Sequence, residues 1–166
     1  MASKLKNLSS CIKNKIPSAA GMSFGIVVSE WNESITGSLY KGAYNTLIRN
    51  GTKKSNIKTV KVPGSFELPS GAQYLLECTD VDAVICLGCV IQGETRHFEF
   101  ICQAVANGIS NVGIAYNSPV IFGVLTTNNL KQAKERSGGK HGNKGDEAAI
   151  TAIKMATLHK NLAERK

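Results

Sequence analysis

Between Gly88 and Phe100 the chain reads Gly-Cys-Val-Ile-Gln-Gly-Glu-Thr-Arg-His-Phe-Glu-Phe. An apolar run ends in a short polar turn, and a helix opens on His97. The order gathers backbone N–H groups, a hydroxyl and an imidazole at the mouth of a strand-to-helix turn. Such a mouth suits an anion and a proton-transfer step together. His97 also fits a structural or solvated histidine in a first helical turn, and Gly93-Glu94-Thr95 fits a plain N-cap with Thr95 satisfying orphan N–H groups.

Alternating elements position that turn. Ser23 to Val28 reads as a strand. Ile35, Leu39, Ala43 and Leu47 recur every four residues on one helical stripe, which Asn50-Gly51 ends. Ile57 to Val62 is a second strand, closed by Pro63-Gly64. Pro69 suits the first turn of the next helix, with Ala72, Leu75 and Leu76 inward. Ala83 to Ile91 is a third strand, followed by a helix with Phe98, Ile101, Cys102, Val105 and Ile109 on one face. Val120 to Leu125 is a fourth strand, and helices over 129–136 and 146–162 complete the chain. The stretch 138–145, rich in glycine and lysine, reads as the one flexible connection.

Strand–helix alternation with β-branched runs implies a parallel sheet covered on both faces. Right-handed crossovers then predict an α/β protein, a three-layer α/β/α sandwich around a flavodoxin-like four-stranded parallel sheet. A chain of 166 residues fits one such domain and buries roughly 70% of its unfolded surface. We expect an N-terminal arm over 1–22 and a single domain over 23–166.

Composition narrows the function classes. With 42% hydrophobic and 19% charged residues, and no apolar run near the roughly 20 residues that cross a bilayer, no membrane span is expected. The net charge is +8, but the lysines are scattered and aromatics are only 6%, so no nucleic-acid platform is predicted and a small anionic ligand accounts for the charge. Lys4, Lys6, Lys13 and Lys15 precede the first acidic residue, Glu30. A mobile basic arm explains them better than a transit peptide, since arginine is absent there. The expected location is cytoplasmic, with organelle targeting by the arm left open.

Five cysteines form an odd set and suit a reducing compartment. Cys86 and Cys89 form a C-x-x-C, but on a strand they lie about 10 Å apart on opposite faces, beyond the roughly 7 Å between Cα atoms that a disulfide spans. Packing is the expected role. His97, His141 and His159 lack metal-ligand spacing, so no metal is expected. Neither a P-loop nor a G-x-S-x-G elbow occurs.

In open parallel sheets ligands bind beyond the carboxyl ends of the strands. Trp31-Asn32 follows strand one, Pro63-Gly64-Ser65-Phe66-Glu67 follows strand two, and Gln92 to His97 follows strand three. Two aromatic faces with Glu67 and backbone amides suit a planar heterocycle. From spacing alone, Trp31 and Phe66 equally fit packing at the sheet edge.

These segments, together with Pro119-Val120-Ile121-Phe122-Gly123-Val124-Leu125-Thr126-Thr127 and Gly142-Asn143-Lys144-Gly145, resemble the lumazine synthase family in order and spacing over about Phe24 to Leu158. That family is 6,7-dimethyl-8-ribityllumazine synthase, also known as the riboflavin synthase beta-chain family, which catalyses the penultimate step of riboflavin biosynthesis. The resemblance implies a transferase that condenses 5-amino-6-(D-ribitylamino)uracil with 3,4-dihydroxy-2-butanone 4-phosphate, releasing phosphate and water. It implies Trp31 stacked on the pyrimidine with Asn32 beside it, and Ser65, Phe66, Glu67, Cys89, Val90 and Ile91 around the ring and ribityl chain. Gly93, Glu94, Thr95, Arg136 and Lys140 fall on the butanone phosphate side. His97 matches the proton-transfer residue and Phe122 a second ring wall.

The chemistry agrees with those residues. A ring amine attacks a ketone to give an imine, β-elimination expels phosphate, and the ring closes with loss of water. Each step moves protons near neutral pH, where imidazole titrates. Expelling phosphate calls for cationic or N–H stabilisation. No step needs an electron sink, so no cofactor is expected.

Phe122 lies near the start of its strand, about 20 Å from the end that carries the other segments. If it lines the site, it comes from a neighbouring subunit. The resemblance implies a homo-oligomer, a pentamer with sites between subunits, and the short 138–145 connection resembles members that stack twelve pentamers into a 60-subunit icosahedral shell. Association with riboflavin synthase is a further implied partner. Gln92 stands where the family commonly has arginine or lysine, and Arg96 is expected to compensate in part. A flavin-binding or shell-forming relative with weak turnover is the competing reading.

Overall fold

The computed structural model describes residues 16–164. Four strands form one parallel sheet: β1 (Phe24–Ser29), β2 (Ile57–Val62), β3 (Ala83–Ile91) and β4 (Val120–Thr127), in the order β2-β1-β3-β4. Between them run α1 (Glu33–Arg49), α2 (Leu68–Cys78) and α3 (His97–Ala115). After β4 come α4 (Leu130–Arg136), a two-stranded hairpin of β5 (Ser137–Gly139) and β6 (Gly142–Asn143), and α5 (Lys144–Ala163).

The period of two along the central strands builds both faces of the sheet. Ile85, Leu87 and Cys89 of β3 pack with Ile35, Leu39 and Leu47 of α1 and with Ala152 and Ile153 of α5. Val84 and Cys86 face the other way, onto Leu68 and Leu75 of α2 and Val105 and Ile109 of α3. The two clusters are the two interlayer cores of the α/β/α sandwich, as the alternation of elements predicts.

β1 and β3 carry unbroken apolar runs because they are central and covered on both sides. β2 is an edge strand, with Lys58, Thr59 and Lys61 exposed. Pro69 lies in the first turn of α2, and α1 ends at Arg49 with Asn50 as its C-cap.

Three expectations change. β4 continues past Leu125 to Thr127, pairing Thr126 and Thr127 with Val90 and Ile91. The connection 138–145 is not an open loop: its first residues form the β5–β6 hairpin, turned through positive φ at Gly138 and Gly142, and α5 starts at Lys144. Asn143 caps α5, its Oδ1 accepting the Gly145 N–H at 2.8 Å.

Of the segment 1–22 expected as an arm, residues 16–22 are described, and they lie against the domain. Ala19 and Met22 are buried in the α1–α5 core, and the Ala19 N–H donates to the Asn50 carbonyl at 2.8 Å. Cys11 and the lysines at 4, 6, 13 and 15 lie outside the described residues. No helix among the described residues is long and apolar enough to cross a membrane.

Cys86 and Cys89 sit on opposite faces of β3, and Cys78, Cys86, Cys89 and Cys102 are all free. Burial raises both strand thiols, Cys89 to about 11 and Cys86 further still. At neutral pH both are therefore protonated and poor nucleophiles. Iodoacetamide on the native protein should modify the exposed Cys78 while sparing Cys86 and Cys89, as read by peptide mass mapping. Modification of Cys89 at the rate of Cys78 would contradict this packing.

Candidate functional site

Three connections meet over the carboxyl ends of β1, β2 and β3 and close a cavity of about 450 Å³. Trp31 and Asn32 line it from the start of α1. Pro63, Gly64, Ser65, Phe66 and Glu67 line it from the turn after β2. Cys89, Val90 and Ile91 come from the end of β3, and His97 and Ile101 from the first turns of α3. The tryptophan is 73% exposed and Phe66 58%, so both rings present open faces instead of capping the core.

Hydrogen bonds fix these connections to one another. Asn32 adopts the left-handed conformation at φ 62°, ψ 43°, one that asparagine tolerates better than most residues. Its Nδ2 donates to the Cys89 carbonyl at 2.9 Å, which ties the entry of α1 to β3. The Glu30 and Trp31 N–H groups donate to the Val62 and Pro63 carbonyls at 2.8 and 3.1 Å. One Glu67 oxygen accepts the Gly64 N–H at 2.9 Å, so the carboxylate braces its own turn.

Gly88 makes the crossing of these segments possible. A Cβ there would lie 2.6 Å from Ser65 Oγ and 2.9 Å from Leu68 Cδ1. A larger residue would force the Ser65 and Leu68 side chains to shift, so glycine lets the Ser65 turn lie close on β3.

His97 is the first residue of α3 and is exposed at the cavity wall. Its backbone N–H donates to Thr95 Oγ1 at 3.4 Å, so Thr95 does serve the helix start. The imidazole has no hydrogen-bond partner among the described residues and is free to meet a ligand. Gly93, Glu94 and Thr95 are exposed between two wall segments, Ile91 and His97, without lining the cavity themselves. The Gln92 N–H donates to the Thr127 carbonyl at 2.8 Å and anchors this turn to β4.

Arg96 does not line this cavity. Its guanidinium pairs with Glu99 at 3.1 Å and lies 5.8 Å from the Phe100 ring centroid, on the outer surface of α3. Helical spacing of three and four brings those partners within its reach.

Arg136 lines a second cavity of about 450 Å³ on the neighbouring strand, and no residue lines both cavities. Val124 to Thr127 of β4, Gln132 and Glu135 of α4, His141 and Lys144 form the rest of its wall. Lys140, placed on the phosphate side by resemblance, is exposed on the hairpin turn and lines neither cavity. Phe122 is also outside both, 40% exposed and in register with Cys86, three residues before the Cys89–Leu125 pair. The first cavity thus carries two aromatic faces, a carboxylate and an imidazole but no lysine or arginine. The cations stand in the second.

Sequence reasoning missed Ile101, which follows His97 by one helical turn and so shares its face. It also missed the lining role of Lys144, although that residue stands in a recognised motif, and those of Thr127, Gln132, Glu135 and His141. Among the described residues no cluster of histidine, cysteine and carboxylates could hold a metal ion.

Comparison with known proteins identifies the family. The model of the 6,7-dimethyl-8-ribityllumazine synthase family matches residues 21–160. The 6,7-dimethyl-8-ribityllumazine synthase of Cytophaga hutchinsonii is 62% identical over 155 residues, 93% of this chain and 97% of that protein. Those of Parabacteroides distasonis and Christiangramia forsetii are 52% and 53% identical over 158 and 162 residues, covering 95% and 97% of this chain and 99% and 96% of theirs. With the family model matching residues 21–160 and nearly its whole length in common with these relatives, the chain belongs to the 6,7-dimethyl-8-ribityllumazine synthase family.

Proposed function

We propose that this enzyme of riboflavin biosynthesis condenses 5-amino-6-(D-ribitylamino)uracil with 3,4-dihydroxy-2-butanone 4-phosphate at a site shared by two copies of the chain. The separation of an aromatic cavity without a cation from a neighbouring cavity that holds Arg136 carries the reading. An organic phosphate and a neutral heterocycle that react together need both surfaces at once. A second copy that sets its Arg136 cavity and Phe122 against Trp31, Phe66 and His97 would supply them.

In this reading Trp31 stacks on the pyrimidine with Asn32 beside it. Ser65, Phe66, Glu67, Cys89, Val90 and Ile91 frame the ring and the ribityl chain, and Phe122 of the adjacent copy closes the other side. The phosphate sits at the Gly93-Glu94-Thr95 turn, facing Arg136 and the lysines of the neighbouring hairpin. Lys144, which lines the Arg136 cavity, takes precedence there over Lys140. His97 relays protons as the imine forms and as phosphate leaves, which needs an imidazole within reach of the reacting atoms and no bound cofactor. Holding both substrates in line supplies the larger part of the acceleration.

Exposed Trp31, Phe66, Phe100, Ile114, Phe122 and Leu130 give the chain apolar surface to bury in an assembly. We read that assembly as a pentamer, with the short 138–145 connection favouring stacked pentamers, association with riboflavin synthase, and a cytoplasmic location. Light scattering coupled to size exclusion distinguishes a pentamer from a 60-subunit shell.

Arg136→Ala tests the site. A charged hydrogen bond to phosphate contributes about 1.5–3 kcal/mol, so the KM for butanone phosphate should rise by roughly 10–100-fold while pyrimidine affinity holds. Steady-state kinetics that follow the fluorescent lumazine and free phosphate check this. A loss confined to the pyrimidine would misplace Arg136.

A further inference from the structure

The cavity beside β4 contains a group that ought to oppose an anion. Glu135 lines it next to Arg136, so a carboxylate faces the space that the proposed phosphate reading fills with negative charge. Lys144 is engaged by Glu147. Arg136 has no ion-pair partner among the described residues.

The Glu135 carboxylate has its own restraint. His141 Nε2 stands 3.8 Å from Glu135 Oε2, both side chains being half-buried. The His141 N–H donates to the Glu135 carbonyl at 2.8 Å, which holds the hairpin on the end of α4. Gly139 allows that grip: a Cβ there would lie 2.8 Å from the Lys134 carbonyl oxygen and 2.9 Å from Glu135 Cα. The hairpin therefore lies directly on the backbone that carries Glu135 and Arg136.

We propose that His141 is a positioning residue for the phosphorylated substrate: it holds the Glu135 carboxylate against the β5–β6 hairpin and away from an anion bound at Arg136. The inference rests on the reading of Arg136 given above. It separates the duties of two residues in one cavity wall. Arg136 attracts the phosphate, and His141 keeps Glu135 from repelling it. An unrestrained carboxylate in the same cavity should weaken a phosphate dianion by roughly tenfold.

Kinetics on the assembled enzyme test this, with inorganic phosphate as the probe of the site. His141→Ala should raise the KM for butanone phosphate and the inhibition constant of inorganic phosphate together, by roughly tenfold, with kcat within about twofold. His141→Lys places a donor of similar reach beside Glu135 and should hold both constants near the wild-type values. The double variant Glu135→Gln/His141→Ala removes the carboxylate that His141 restrains and should recover both. A purely structural role for His141 would not produce that recovery. Equal losses in His141→Ala and the double variant, or a loss confined to kcat, would overturn the inference. If Arg136→Ala leaves both constants unchanged, the phosphate reading itself falls. If Arg136→Ala raises them and His141→Ala does not, only the role of His141 falls.

Discussion

His97→Ala should lower kcat by roughly 10²–10⁴-fold, the usual worth of a positioned general acid or base, without abolishing turnover. The structure separates the imidazole from the helix it begins. The Thr95 hydroxyl meets the backbone N–H of residue 97 at 3.4 Å, and that bond survives the substitution. Having no partner among the described residues, the ring braces nothing there, and alanine is a good helix former. The loss should therefore fall on kcat and spare both the denaturation midpoint and the binding of the pyrimidine. Quenching of Trp31 fluorescence reads that binding, because Trp31 is the chain's one tryptophan and lines the same cavity. Residual turnover is expected because alignment of two bound substrates remains in place. Unchanged kcat would remove His97 from the reaction, and a loss of pyrimidine binding would make it a binding residue.

Gly145→Ala should cost about 3 kcal/mol of stability, at the upper end of what overpacking usually costs. A Cβ at this position would overlap the Leu39 carbonyl oxygen, and backbone of α1 cannot rotate aside as a side chain could. The close approach has a local cause. Asn143 donates through Nδ2 to the Ser38 carbonyl at 3.0 Å and accepts the Gly145 N–H, so the first turn of α5 is pinned onto α1 from two directions. Gly42 leaves the space for that asparagine, since a Cβ there would lie 2.7 Å from the Asn143 side chain. Chemical denaturation measures the effect, and a change within about 0.5 kcal/mol, as for an ordinary surface substitution, would contradict this packing. On the proposed site the folded variant should also lose affinity for butanone phosphate, because Lys144, which lines the Arg136 cavity, stands just before the displaced turn.

These two expectations differ in what they ask of the sequence. His97 is legible there: a strand, a polar turn and a helix-opening histidine are consecutive, so local order sets their geometry. Gly145 is visible only as part of a glycine-bearing motif, and the helix that it touches begins more than a hundred residues earlier in the chain.

The same division runs through the rest of the protein. Local periodicity determined the four strands, the helices between them, the opposite facing of Cys86 and Cys89, and the three turns that hold Trp31, Phe66 and His97 at the first cavity. Each follows from spacing within one element, or from the rule that parallel strands place their following turns at one edge. The tertiary structure decided which of those turns touch. Sheet order β2-β1-β3-β4 sets the ends of β1, β2 and β3 around one cavity and leaves Arg136 after β4 at another. It also folded the glycine-rich connection into a hairpin and brought Lys144 rather than Lys140 to the cavity wall. The reason is physical: a side chain's direction on its own element follows from the backbone period. Its meeting with another element depends on close approaches, at Gly88, Gly139 and Gly145, that no local pattern encodes.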